Sequence, residues 1–276
     1  MTTCQLPTDI IDILADIIVD RRGSEPQSYM QTTAMLGYIK PNQAYAADQR
    51  GFTPSDKDSA HPQPLHDADN IPSRLSFQGQ WRQNFARQPV EGNILGGNDS
   101  LVVENNFLEI PVAETTPENL GYYRASLFKN GDPFVFECCK NLPVSEMHIG
   151  ESYVAGYIMD PLAGGGVYLE HHNTPHFHMP KNADAGGYLV LGKRRDDDYQ
   201  VSAFKIPFGY GIYTAPHILH NDCFLTGKYN VVYNVAENYA TAILKTKQDE
   251  IVNVAIKAGT IKSGAIKASA INARQA

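Results

Sequence analysis

Between Glu170 and His178 the chain reads EHHNTPHFH, so that four of its nine histidines fall at positions 171, 172, 176 and 178. Imidazoles crowded in this way suit metal ligation. In an extended strand side chains alternate between faces, which points His176 and His178 of the H-x-H pair the same way. Glu170 and His172 share a parity with each other, and Pro175 stands between them and the later pair as a strand breaker. A divalent ion such as nickel, manganese, iron or zinc takes neutral imidazole readily, and a catalytic centre holds one with three or four protein ligands while leaving a position open. Further ligands are sought in the later segment IPFGYGIYTAPHILHND, which carries His217 and His220, or at His148 in an expected loop.

The elements that must position these residues are strands. After Gly97 the chain breaks into short β-branched and aromatic runs separated by Gly, Pro, Asn and Asp: SLVVEN, FLEIPV, DPFVFECC, SYVAGYIMD, GGVYLEH, GGYLVLGK, YQVSAFKI, GYGIYTA, KYNVVYNV and YATAILK. Such closely spaced runs predict an antiparallel sandwich or barrel with a pocket at its mouth. Residues 8 to 20, TDIIDILADIIVD, place Ile10, Ile13, Leu14 and Ile17 on one helical face and Asp12, Asp16 and Asp20 on another, with Thr8 as N-cap and Arg21, Arg22 and Gly23 at the C-terminal end. Residues 52 to 74 read as a Pro-, Asp- and Ser-rich loop, in which His61 and His66 are solvated. From Ile251 an isoleucine returns every five residues, a period that fits neither helix nor strand and reads as a low-complexity tail, with a docking arm as the alternative. The expected organisation is therefore a helical and loop-rich arm over 1–94, a β domain over 95–246 and a tail over 247–276.

The H-x-H pair, the strand-rich body and the proline-led turn closing on His220 and Asn221 resemble the cupin superfamily of double-stranded β-helix jelly rolls. The resemblance implies a metal held by His176, His178 and His220, with His172, Asp184 or Glu170 completing the set. It also implies a homodimer, because exposed cupin sheets often pair. Within that superfamily, FLEIPVAETTPENLGYYRASL at 107–127, with residues 165–192 and 207–236, is similar by pattern to the ureidoglycolate lyase family. What this implies is cleavage of a C–N bond in a small polar carboxylic acid or amide, with His217, Glu170 and Tyr213 as the acid–base candidates. Each candidate has a plainer reading: Tyr213 as a pocket-wall aromatic, Glu170 as a carboxylate orienting a ligand histidine, His217 as a turn residue. A non-haem iron dioxygenase and a non-catalytic ligand-binding protein are the alternatives.

Composition narrows the classes. The net charge of -7 gives no electrostatic footprint for nucleic acid, and no apolar run is long enough to span a bilayer, which leaves a small molecule as the expected partner. The sequence MTTCQLPTDI has no secretory pattern, so the expected compartment is the cytoplasm. Cys4, Cys138, Cys139 and Cys223 lack C-x-x-C spacing and read as free thiols. GGG at 164–166 is not followed by G-K-[ST] and reads as a tight turn, and KRRDDD at 193–198 reads as a solvated hairpin tip.

Overall fold

The computed structural model describes residues 18–55, 71–84, 99–232 and 239–257. Its strands, in chain order, begin with β1 (Asp20–Arg22), β2 (Tyr29–Ile39), β3 (Ala44–Asp48), β4 (Gly51–Pro54), β5 (Leu75–Arg82), β6 (Asp99–Val103) and β7 (Phe107–Ala113). There follow β8 (Ala125–Lys129), β9 (Pro133–Val135), β10 (Leu142–Ile149), β11 (Tyr168–His172), β12 (His176–Pro180), β13 (Gly186–Gly187) and β14 (Leu189–Arg195). The last are β15 (Asp198–Phe204), β16 (Tyr210–Thr214), β17 (Leu219–Asn221), β18 (Leu225–Val232), β19 (Tyr239–Thr246) and β20 (Asn253–Lys257).

One sheet runs β1-β2-β10-β18-β12-β16-β8, with β13 against β18. The other runs β14-β17-β11-β19-β6-β5-β15 and closes on itself because β15 also pairs with β14, with β7 and β20 continuing beyond β15. Closure gives a seven-stranded barrel that is mixed, since β19 pairs with β6 in parallel while its other neighbour β11 is antiparallel. The protein is thus mostly β, in an arrangement consistent with a jelly-roll-like fold. A small third sheet, β4-β3-β9, covers part of the open sheet. No helix among the described residues is long and apolar enough to cross a membrane.

The register explains which residues make the core. Along β5, Phe77 and Gly79 face the barrel interior, where a Cβ on Gly79 would meet Leu101 at 2.8 Å. Leu169, Val190 and Val201 share that interior. On the far side of the open sheet a second core gathers Phe134, Phe136, Phe177 and Tyr213, with Phe134 and Phe177 stacked at 5.2 Å. Full burial of one such aromatic ring contributes about 2–3 kcal/mol, so this satellite core fastens the small sheet firmly.

Several expectations change. A helical N-terminal arm is not supported: residues 8–17 lie outside the described set, and Asp20, Arg21 and Arg22 form β1 against β2. Within the first 94 residues, β2 runs along the whole of β10 and β5 is a barrel wall, so the described part of that stretch is sheet rather than loop. SYVAGYIMD is no strand but contains a π-helical turn, Val154–Ile158. Tyr153 and Tyr157 stack at 5.4 Å, the contact that four-residue spacing on a helix makes possible. The GGG segment is indeed a tight turn, with Gly164 and Gly166 donating to the carbonyls of Tyr157 and Ile158. The first isoleucine pentads are not tail: β20 pairs in parallel with β7, setting Ile256 beside Ile110. His148 lies within β10 rather than in a loop, and His61 and His66 lie outside the described residues.

Candidate metal centre

β11 belongs to the barrel and β12 to the open sheet, so Asn173, Thr174 and Pro175 carry the chain from one layer to the other. Strand alternation sends Glu170 and His172 out from the barrel toward that sheet and His171 the opposite way. His220 on β17 pairs directly with Glu170 and therefore shares its face. His176 on β12 points back from the open sheet. The three rings converge, with centroids 4.4 Å apart for His172–His176 and 4.8 Å for each of the other two pairs.

Each residue of the triad offers one ligand nitrogen, and these atoms all lie within 4.8 Å of one another. A metal at about 2.0–2.1 Å from each nitrogen needs separations of roughly 3.0–3.5 Å, so small ring movements close the set. The outer nitrogens fix the orientation. His172 Nδ1 lies 2.7 Å from the Thr174 carbonyl and His220 Nδ1 lies 2.8 Å from the Ile218 carbonyl. A carbonyl only accepts, so both Nδ1 atoms carry the hydrogen and both Nε2 atoms turn inward, as ligating histidines do. His172 Nε2 is buried with no hydrogen-bond partner among the described residues.

Electrostatics suit a cation as well. Burial, reinforced by His220, pushes His172 down to about 2, and burial followed by His172 and His220 pushes His176 well below its ordinary value. Both rings are neutral near pH 7, the form that binds metal. Burial alone would lower His220 too, but Glu170, its Oε1 3.4 Å from His220 Nε2, reverses the direction and raises it. Glu170 also accepts from Thr241 Oγ1 at 3.4 Å.

No family model matches the sequence, and no curated protein does.

Of the expected ligands, the structure brings together His172, His176 and His220, with Glu170 beside them. His178 shares the buried layer, its ring parallel to His176 at 5.4 Å, but its Nε2 faces Asp222 Oδ2 at 3.6 Å and it is not part of the triad. Asp222 Oδ1 accepts from the Tyr168 hydroxyl at 2.7 Å. Burial would raise Asp222, yet the facing His178 ring and the Tyr168 hydrogen bond hold it well below the usual carboxylate range. Asp184 is exposed on the turn between β12 and β13 and is not part of the triad.

Two acid–base candidates lie elsewhere. Tyr213 pairs with Phe177, which puts it on the opposite face of the open sheet from His176, inside the aromatic satellite core. Its hydroxyl accepts from the Glu137 amide at 3.3 Å. His217 has a left-handed backbone, φ 66°, and its amide donates to the His172 carbonyl at 2.7 Å, while its side chain is exposed at the barrel mouth. Asn221, expected at the closing turn, pins it by donating to the Tyr168 carbonyl and accepting from the Cys223 amide. Asp222 went unanticipated, although its two-residue spacing from His220 signals that both point the same way.

Proposed function

We propose that this chain is a metal-dependent enzyme that binds one divalent cation between its two sheets through His172, His176 and His220. The observation carrying the reading is the orientation of the rings: two Nδ1–H groups are tied to backbone carbonyls, so the ligating nitrogens turn toward a common point. Glu170 is the fourth candidate ligand or the proton carrier. When bound, the cation supplies Lewis acidity toward a carboxylate and its adjacent hydroxyl.

The substrate class we propose is a small polar carboxylic acid or amide cleaved at a C–N bond, as the resemblance to the ureidoglycolate lyase family suggests. Glu170, whose side chain is 24% exposed, is the group at the site able to exchange protons with a ligand. It takes the substrate's hydroxyl proton as the carbonyl forms, then delivers it to the nitrogen as the C–N bond breaks. Atoms balance without any other acid. Tyr213 and His217 have no part in this step.

A second reading is favoured by one observation. The triad is only 5%, 4% and 2% exposed, which suits a cation that ties β11 and β17 to β12 without turnover. The two readings separate in a defined order. Elemental analysis of untagged protein should find about one equivalent of metal that the His172→Ala/His176→Ala variant lacks; no metal after reconstitution would end both readings. A panel of 2-hydroxy acids with amide or ureido substituents, assayed for keto-acid release under argon, then tests catalysis. Release under argon supports the lyase, release only with oxygen supports an iron oxygenase, and no release leaves the structural cation.

A further inference from the structure

The rim of the seven-stranded barrel encloses a cavity of about 300 Å³, and none of the three triad histidines lines it. That volume sits at the lower end of small-ligand pockets, which run from about 300 to 1,000 Å³. The cavity forms where the ends of several strands meet: Trp81 from β5, His171 from β11, Lys193 and Arg194 from β14, and Leu219 from β17. Tyr122 and Arg124 arrive from the short helix Pro117–Gly121, whose start is fixed by Thr116 accepting from the Asn119 amide at 3.2 Å and by Pro117.

The chemistry of this wall is specific. Trp81 offers a flat aromatic surface, and the Tyr122 ring beside it is covered by cationic side chains. The Trp81 ring is held by its own Nε1–H, which donates to Asp99 Oδ2 at 2.8 Å, and it lies 5.5 Å from the His171 ring. Lys193 extends its ammonium over the Tyr122 ring, 4.7 Å from the centroid. Arg194 is partly committed, since its Nε donates to the Asp196 carbonyl and its guanidinium lies 4.0 Å from Asp197. Arg124 is exposed at the rim. Among the described residues that line the cavity there is no carboxylate, although the chain as a whole carries a net charge of -7. Asp99, just below, already accepts from Trp81 and from the Asn84 amide.

We infer that the barrel mouth is a binding site for a small organic anion on a flat, apolar body, such as an aromatic carboxylate. The body stacks on Trp81, and the anionic group pairs with Arg124 and with Lys193, which lies over the Tyr122 ring. The site is separate from the metal centre, because strand alternation puts His171 and His172 on opposite faces of β11. It does not depend on the metal reading.

Trp81 is the sole tryptophan of the chain, so its fluorescence reports occupancy directly. Full-length protein is titrated with benzoate and with the neutral isostere benzamide, before and after treatment with a chelator. Saturable benzoate binding is expected, with benzamide weaker by about tenfold or more, as loss of a charge-assisted contact implies. Lys193→Gln and Arg124→Gln should each weaken benzoate by a similar factor, while Lys193→Arg retains binding and shows that the fold is unaffected. Binding should survive chelation. No saturable response, equal binding of benzamide, unchanged affinity in both Gln variants, or loss of binding on chelation would each overturn the inference, the last by assigning benzoate to the metal centre.

Discussion

Lowering the pH from about 7.5 to about 5 should destabilise the metal-free protein through two buried imidazoles. His172 is held down to about 2, chiefly by burial and next by His220, and His176 is pushed well below 6.5 by burial, His172 and His220. In the unfolded chain both return to 6.5. Below that value the unfolded chain takes up protons that the fold refuses. The contribution is therefore intact above 6.5 and is lost as pH falls. One proton of difference is worth about 1.4 kcal/mol per pH unit, so at about pH 5 each ring has cost about 2 kcal/mol and the pair about 4 kcal/mol. His220 has the opposite sign: raised by Glu170 against the effect of burial, it stabilises fully below 6.5 and loses that contribution as pH rises through its folded value. It adds no slope in the acid window. His171, lowered first by burial and then by His217, adds a smaller share to parent and variant alike. Urea unfolding at a series of pH values, with chelator present, measures the slope. His172→Gln removes one of the two titrating rings, so its loss over the same range should fall by about 2 kcal/mol. Equal acid loss in parent and variant would refute the reasoning.

Metal should stabilise the fold. At a free concentration about 100 times its Kd the gain is about 2.7 kcal/mol, visible as a rise in Tm that His176→Ala abolishes; a shift of the same size in that variant would place the ion elsewhere. Gly211→Ala sets a Cβ 2.1 Å from Phe177 Cζ, an overpacking that costs about 1–3 kcal/mol. Equilibrium denaturation checks this, and unchanged stability would mean that the aromatic core yields freely. Tyr213→Phe removes the acceptor of the Glu137 amide and should cost about 1 kcal/mol while leaving metal content intact; lost metal in that variant would contradict the placement of Tyr213.

The histidine run was legible through strand parity, which needs no tertiary information, and the HILH turn through its leading proline and paired histidines. Their partition was not. His176 and His178 share a parity, yet only His176 joins His172 and His220, because Asp222, just past the end of β17, faces His178. A parity rule says which way a side chain points and nothing about what waits there. Pro175 was legible as a break, but not that the break carries the chain between layers and sets His172 against His176. The strand-rich body was readable from β-branched runs. Its closure was not, because β14 meeting β15 as a hairpin is local whereas β19 beside β6 joins residues far apart in the chain. SYVAGYIMD misled because aromatic and β-branched residues suit strands in general, while the stack of Tyr153 on Tyr157 is a helical-spacing contact.

β11 explains why two adjacent histidines have separate chemistry. Its register is fixed on both sides, by β19 along Tyr168–His172 and by β17 at Glu170 and His220. With both edges paired, a slip of one residue would exchange His171 with His172 and carry a charged Glu170 into the apolar barrel interior. The barrel cannot accept that exchange, since the positions flanking His171 in that interior are Leu169 and Leu219. The same wall therefore holds neutral imidazoles toward the open sheet and an aromatic, cationic rim toward the mouth. His217 joins the two compartments through its backbone alone: its amide holds the His172 carbonyl at 2.7 Å while its side chain stays at the rim. Occupancy of one compartment can thus reach the other by moving β11, this hydrogen bond, or β17, where Ile218 and Leu219 line the mouth and the Ile218 carbonyl holds His220 Nδ1.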